Sequence, residues 1–136
     1  MAIARSEKQI TWSSSNSVSV SGSGNSTSDA EAIAAAAIGL TVQLKADHSG
    51  TPGADDYVDF YLLSTLGDPD GASTSEFTTT GAGHRQFLYR LDTNVDDPAI
   101  SPHLPISVPV LEVKIYAVNN AGESVTVSAT LLETTG

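Results

Sequence analysis

Carboxylates are the side chains of this chain best placed by number to do chemistry, and they cluster: Asp55 and Asp56 with Asp59, Asp68 with Asp70, and Asp96 with Asp97. Calcium takes several oxygen ligands converging from one loop, and Asp68-Pro69-Asp70-Gly71 has an Asp-x-Asp-Gly character without the rest of a helix-flanked calcium loop. Asp beside Pro and Gly is equally the chemistry of a tight turn, and both readings stand on sequence. Hydrolysis by paired carboxylates requires them about 5 to 10 Å apart across a cleft, and these acids lie in loop sequence with no aromatic or polar surround. His48, His84 and His103 occur singly, none at the i, i+4 spacing that brings two imidazoles onto one metal, and they read as surface residues. Serines abound, but no Gly-x-Ser-x-Gly elbow is present, and Gly22-Ser23-Gly24-Asn25 lacks the lysine and following helix of a phosphate loop. The expectation is a non-enzyme with no cofactor and no metal site.

Aromatic rings offer a different chemistry. Tyr57, Tyr61, Tyr89 and Tyr116 would stack sugars if they stood exposed on a sheet, whereas Trp12, the single tryptophan, reads more simply as core or rim packing. With 16 acidic against 6 basic residues and a net charge of −10, the surface repels phosphate backbones and anionic lipid, so neither nucleic acid nor membrane is an expected partner. No apolar run approaches the roughly 20 residues of a membrane span, and residues 1–8 lack the apolar centre of a signal peptide, so the sequence reads as soluble and made in the cytoplasm. Zero cysteines exclude disulfides and thiolate sites, leaving packing and backbone ladders to hold the fold. A length of 136 residues suits one domain able to bury roughly two thirds of its unfolded surface.

The elements that must position these residues are strands. Leu111, Val113, Ile115 and Ala117 alternate with Glu112, Lys114 and Tyr116, and Val125, Val127, Ala129 and Leu131 alternate with Ser124, Thr126, Ser128 and Thr130. Joined by Asn119-Asn120-Ala121-Gly122, residues that tolerate positive φ, these arms read as a closing β-hairpin. Upstream, Ile38, Leu40, Val42, Leu44 and Ala46 share one face of a central strand. Val58, Phe60 and Leu62 oppose Tyr57, Asp59 and Tyr61 on the next, and Phe87, Tyr89 and Leu91 point inward from a third with Gln86, Leu88 and Arg90 outward. Val18 and Val20 face inward from a short strand, Gln9–Ser13 forms another, and residues 73–80 read as an edge strand. Ser28 with Glu31 resembles a capping box before an Ala-rich segment, so residues 29–38 are either a short helix or small residues in an extended crossover. The prolines between Asp96 and Pro109 make that stretch an extended connection. Residues 1–8 read as an extended N-terminal arm and residues 9–136 as a single domain. The fold class is all-β, an antiparallel, jelly-roll-like β-sandwich of seven or eight strands, with no crossover helices for a parallel sheet.

Leu44-Lys45-Ala46-Asp47, the Gly/Pro loop after it, Val58 to Leu63, Leu66 to Gly71 and the closing Val113 to Ala129 together resemble small virion proteins of tailed bacteriophages. Among these, the chain is most similar to the jelly-roll cementing, or decoration, proteins of capsids. The resemblance covers roughly residues 38 to 132 and implies a virion structural protein, assembled as a homo-oligomer, that bridges major capsid protein subunits on the capsid exterior; neck and tail components share the style. A glycan- or host-surface-binding sandwich is the alternative. The expected partner contacts are apolar or basic residues outside the alternating strands: Ile3, Arg5, Lys8 and Ile10 of the arm, and Ile100, His103 and Leu104 of the proline-rich connection.

Overall fold

The two alternating arms at the C-terminus belong to different sheets. In the computed structural model, which describes residues 2–65 and 85–136, strand β10 (Glu112–Asn119) pairs with β6 (Tyr57–Thr65), whereas β11 (Val125–Thr135) pairs with β5 (Ala37–His48). The expected hairpin is therefore an arch that crosses the sandwich. Alternation reports which face of a strand is buried, and both arms do bury one face, but it carries no information about which neighbour supplies the ladder. The turn chemistry differs too. Neither Asn119 nor Asn120 is among the positive-φ residues. Asn119 is instead 1% exposed, with Nδ2 donating to the carbonyls of Val20, Ser21 and Glu123 and Oδ1 accepting from the Ala121 amide.

The first sheet runs β1 (Ala4–Gln9), β11, β5, β8 (Ala99–Ile100), with β2 (Val18–Val20) also on β11 and β9 (Leu104–Ile106) also on β5. The second runs β3 (Asn25–Thr27), β10, β6, β7 (Gln86–Asp92), with β4 (Glu31–Ala32) also on β10. Every pairing among the described strands is antiparallel, and most successive strands alternate between sheets, which gives the jelly-roll-like β-sandwich. Only β6 and β7 are both consecutive and paired among the described strands. Val42, Leu44, Val125, Val127 and Leu131 face Val58, Phe60, Val113 and Ile115 across the core, all fully buried.

Two bulges reverse expected faces. Thr134 pairs with Gly39 and Thr135 with Ala37, so Ile38 is an extra residue; it stands 60% exposed while Ala37 turns to the core. Phe60 pairs with Tyr89 and Tyr61 with Phe87, so Leu88 is extra, packs inward, and leaves Phe87 on the outer face, 53% exposed. A bulge inserts one unpaired residue and shifts every later side chain to the opposite face, with no residue type obliged to mark it.

Segment 29–38 contains no helix. Ser28, 4% exposed, does not cap one: its Oγ accepts from the Ile115 amide and donates to the Asp29 carbonyl. Gln9–Ser13 is not a strand of its own; β1 ends at Gln9, and Trp12 and Ser15 close a small turn with Ser13 and Ser14 at φ 48° and 67°. The proline-rich connection is extended and lays β8 and β9 along β5. The N-terminal stretch is extended as well, and it is hydrogen-bonded to β11 from Ala4 opposite Thr135 to Gln9 opposite Thr130. The edge strand expected over residues 73–80 and the turn at 68–71 lie outside the described residues.

Candidate binding face

The second sheet carries its aromatic residues on the side away from the core. Tyr116 of β10, Tyr61 of β6 and Phe87 of β7 are successive cross-strand partners and so form one row across three strands. The Tyr61 and Phe87 rings meet edge to face at 5.6 Å, and Tyr61 lies 6.0 Å from Tyr116 at a 46° tilt. The Arg85 guanidinium covers this row, 4.3 Å from the Tyr61 centroid and 5.1 Å from that of Tyr116. A second arginine repeats the arrangement one row along, where the Arg90 guanidinium sits 3.8 Å over Tyr57. Arg90 is fully engaged: Nε donates to Asp59 Oδ1 at 2.7 Å and Nη2 to Oδ2 at 2.9 Å. These hydrogen bonds to Asp59, reinforced by its charge, raise the Arg90 pKa further above its already high ordinary value.

Alternation placed Tyr57, Asp59, Tyr61, Arg90 and Tyr116 on this side; Phe87 was missed because of the Leu88 bulge, and nothing in the sequence assigned Arg85 to a ring. Guanidinium groups against aromatic rings bring apolar faces and N–H donors together on one side of the sheet, suited to a ligand that combines apolar C–H faces with oxygen acceptors. Trp12, 3% exposed, contributes nothing to it; its indole N–H is buried with no partner among the described residues.

The seven expected contact residues do not form one surface. Ile3 is 65% exposed and Arg5 exposed, at the β1 edge of the first sheet. Ile100 and His103 are exposed and Leu104 half-buried at the β8 and β9 edge. A shallow groove of about 200 Å³, lined by Glu7, Thr41, Gln43, His103, Thr130 and Leu132, runs over the outer face between these edges. Ile10 is fully buried in the core and offers nothing to a partner, because the inward face of β1 continues through it. Lys8 is engaged within the chain: Nζ lies 3.3 Å from Glu133 Oε2 and donates to the Ala32 carbonyl at 2.9 Å.

The acidic loops serve backbone and imidazole. Asp56 Oδ2 accepts from the Gly53 amide at 2.7 Å, Asp97 Oδ1 from the His48 amide at 2.9 Å, and Asp92 Oδ1 from the Asn94 amide at 3.0 Å. The Asp56 and Asp92 contacts are turn chemistry, while Asp97 reaches across from its own loop to the end of β5. His48 is not a surface residue: it is the inward terminal residue of β5, its Nε2 3.2 Å from Asp56 Oδ2 and its Nδ1 accepting from the Gly50 amide. Among the described residues no group of three His, Asp or Glu is arranged to hold a metal ion. Asp68, Asp70 and His84 lie outside the described residues.

No protein-family model matches this chain, and no curated protein sequence does. Among solved structures the chain is similar to the Yersinia pseudotuberculosis-derived mitogen, with 13% identity and a TM-score of 0.39 over 98% of this chain and 85% of that one. It is also similar to a family 16 carbohydrate-binding module, with 10% identity and a TM-score of 0.40 over 88% of this chain and 79% of that one. A carbohydrate-binding module of the β-sandwich superfamily gives 13% identity and 0.38, covering 93% of this chain but 54% of that one. None reaches a TM-score of 0.5, so none of them assigns a function.

Proposed function

We propose that this chain is a non-catalytic β-sandwich binding module that takes a glycan on the outer face of its second sheet. The observation that carries the reading is the row Tyr116, Tyr61 and Phe87 on three neighbouring strands, with the Arg85 guanidinium 4.3 Å and 5.1 Å from the centroids of two of the rings. A sugar presents C–H groups on one face and hydroxyls at its rim. The exposed Phe87 ring meets the former, and the guanidinium N–H groups meet the latter. Calorimetric titration against a panel of oligosaccharides tests this directly, with Phe87→Ala as the site variant. Phe87 is 53% exposed and outside the core cluster, so its loss should abolish binding while leaving the melting temperature nearly unchanged. Retained binding in that variant would overturn the reading.

A second reading, cement between subunits of a capsid, draws on a different observation: the first sheet exposes Ile3 and Ile100 near its edges and Leu132 on the interior strand β11, the last lining the groove at His103. Ile100→Asp with Leu132→Asp would then prevent binding to assembled particles, whereas Phe87→Ala would not affect it.

A further inference from the structure

We infer that the ligand's defining group is an oxyanion, a carboxylate or sulfate carried on the glycan, and that Arg85 is its receptor; this rests on the binding face proposed above.

Two arginines stack on tyrosines in this sheet, and their N–H groups have different fates. Arg90 directs Nε and Nη2 to Asp59, which fixes it as part of the face's own framework. Arg85 is held by the rings of Tyr61 and Tyr116 and has no hydrogen bond or ion pair to another described residue that would occupy its fork. A guanidinium held against two rings has lost part of its side-chain freedom, and its fork of N–H donors suits a two-oxygen anion side by side. Less of that freedom then remains to be lost on binding.

Charge placement agrees. The chain has 6 basic residues against 16 acidic ones, yet Arg85, Arg90 and Lys114, half of the basic set, lie on the outer side of this one sheet. The carboxylate nearest to Arg90, Asp59, is neutralised by it. Glu112 of β10 and Asp92 of β7 lie on this side too, so the face is close to charge balance, against a net charge of −10 for the whole chain. That same net charge disfavours a polyphosphate such as DNA, with one negative charge per roughly 1.7 Å of helix axis, and favours a glycan with sparser charges.

The test uses the full chain and oligogalacturonate, its fully methyl-esterified form, and sulfated dextran oligomers. Oligogalacturonate and its ester share a sugar ring and differ in charge, so their comparison isolates the anion, and the sulfated oligomer separates sulfate from carboxylate. The inference expects one acidic probe to bind, with affinity falling as salt rises. It expects the ester to bind more weakly by on the order of tenfold to a hundredfold, and Arg85→Met to remove that same difference. Arg85→Lys should restore only part of it, because a point charge lacks the fork. Neutral glycans that bind through Phe87 with no effect of Arg85→Met would leave the binding face standing and overturn the anion receptor. Acidic probes that bind equally well to Phe87→Ala would overturn the binding face, and with it this inference. No binding by any probe, with wild type and variants melting alike, would overturn both.

Discussion

Arg90 holds Asp59 through two parallel hydrogen bonds, 2.7 Å and 2.9 Å, on the outer side of a sheet where Asp59 is only 9% exposed. Removing the arginine leaves a poorly solvated carboxylate without its partner, whereas removing both groups leaves none. Arg90→Met should therefore lower stability more than the double variant Arg90→Met with Asp59→Leu. Urea melts of the wild type, both single variants and the double variant give the comparison; a double variant less stable than Arg90→Met would show that the pair does not act as a unit.

Asn119 is the fastener of the arch between β10 and β11. It joins the end of β2 to the crossing chain through Val20, Ser21 and Glu123, and Gly22 lies against the same arch, where an added Cβ would meet the Gly122 carbonyl carbon at 2.7 Å. Asn119→Ala strands several backbone groups and should cost about 3 kcal/mol. Asn119→Asp should cost more, since a carboxylate cannot donate to three carbonyls and would be repelled by them. Equal urea midpoints for Asn119→Asp and wild type would contradict the hydrogen-bond assignment.

Asp29 gathers the turn at residues 12–15: Oδ2 accepts from Thr11 Oγ1 at 2.8 Å and the Ser14 amide at 2.9 Å, and Oδ1 from the Ser13 amide at 3.2 Å. The Ser14 amide, then the Thr11 hydroxyl, hold its carboxyl below the ordinary aspartate range. A carboxylate whose folded pKa is depressed stabilises the fold in full above the unfolded value of about 4 and loses that contribution as pH falls through the folded value. The stability gap between wild type and Asp29→Asn should thus be open at neutral pH and close on acidification below about pH 4. A gap independent of pH would sink the assignment. Ser14→Gly, at φ 67°, should instead stabilise slightly, because glycine adopts that conformation without strain.

The faces of this protein were legible from its sequence, while its sheet partners were not. Leu40 to Ala46, Val58 to Leu62, Val113 to Ala117 and Val125 to Leu131 all bury the side that alternation assigned. Alternation gives no reason for β10 and β11 to separate into different sheets, since each is equally satisfied by any neighbour that covers its apolar side. Ile38 and Leu88 were misplaced for a related reason: an inserted residue reverses the face without altering the local composition. The candidate face was half legible. Tyr57, Tyr61 and Tyr116 followed from period two, but their arginine covers depend on how β7 meets β6. His48 was misread because it ends β5 on the inward face, where its imidazole meets Asp56 of the following loop.

The N-terminal stretch separates a packed strand from a loose arm in one experiment. Residues Ala4 to Gln9 run along β11, and Lys8 reaches across to Glu133, which is 4% exposed and also accepts from the Ala34 amide at 2.9 Å. Lys8→Met removes the cation facing that carboxylate and should cost about 1 to 3 kcal/mol. Deleting residues 1–8 removes the cation and most of the β1 ladder together and bares an edge of β11, so it should cost more than Lys8→Met and promote association through the exposed edge. A merely frayed terminus would leave the urea midpoint unchanged in both variants. Any loss of partner binding after deletion therefore has to be judged against this destabilisation, whereas Ile3→Ser and Arg5→Ser, at exposed positions, test a partner contact without touching the clasp at Lys8.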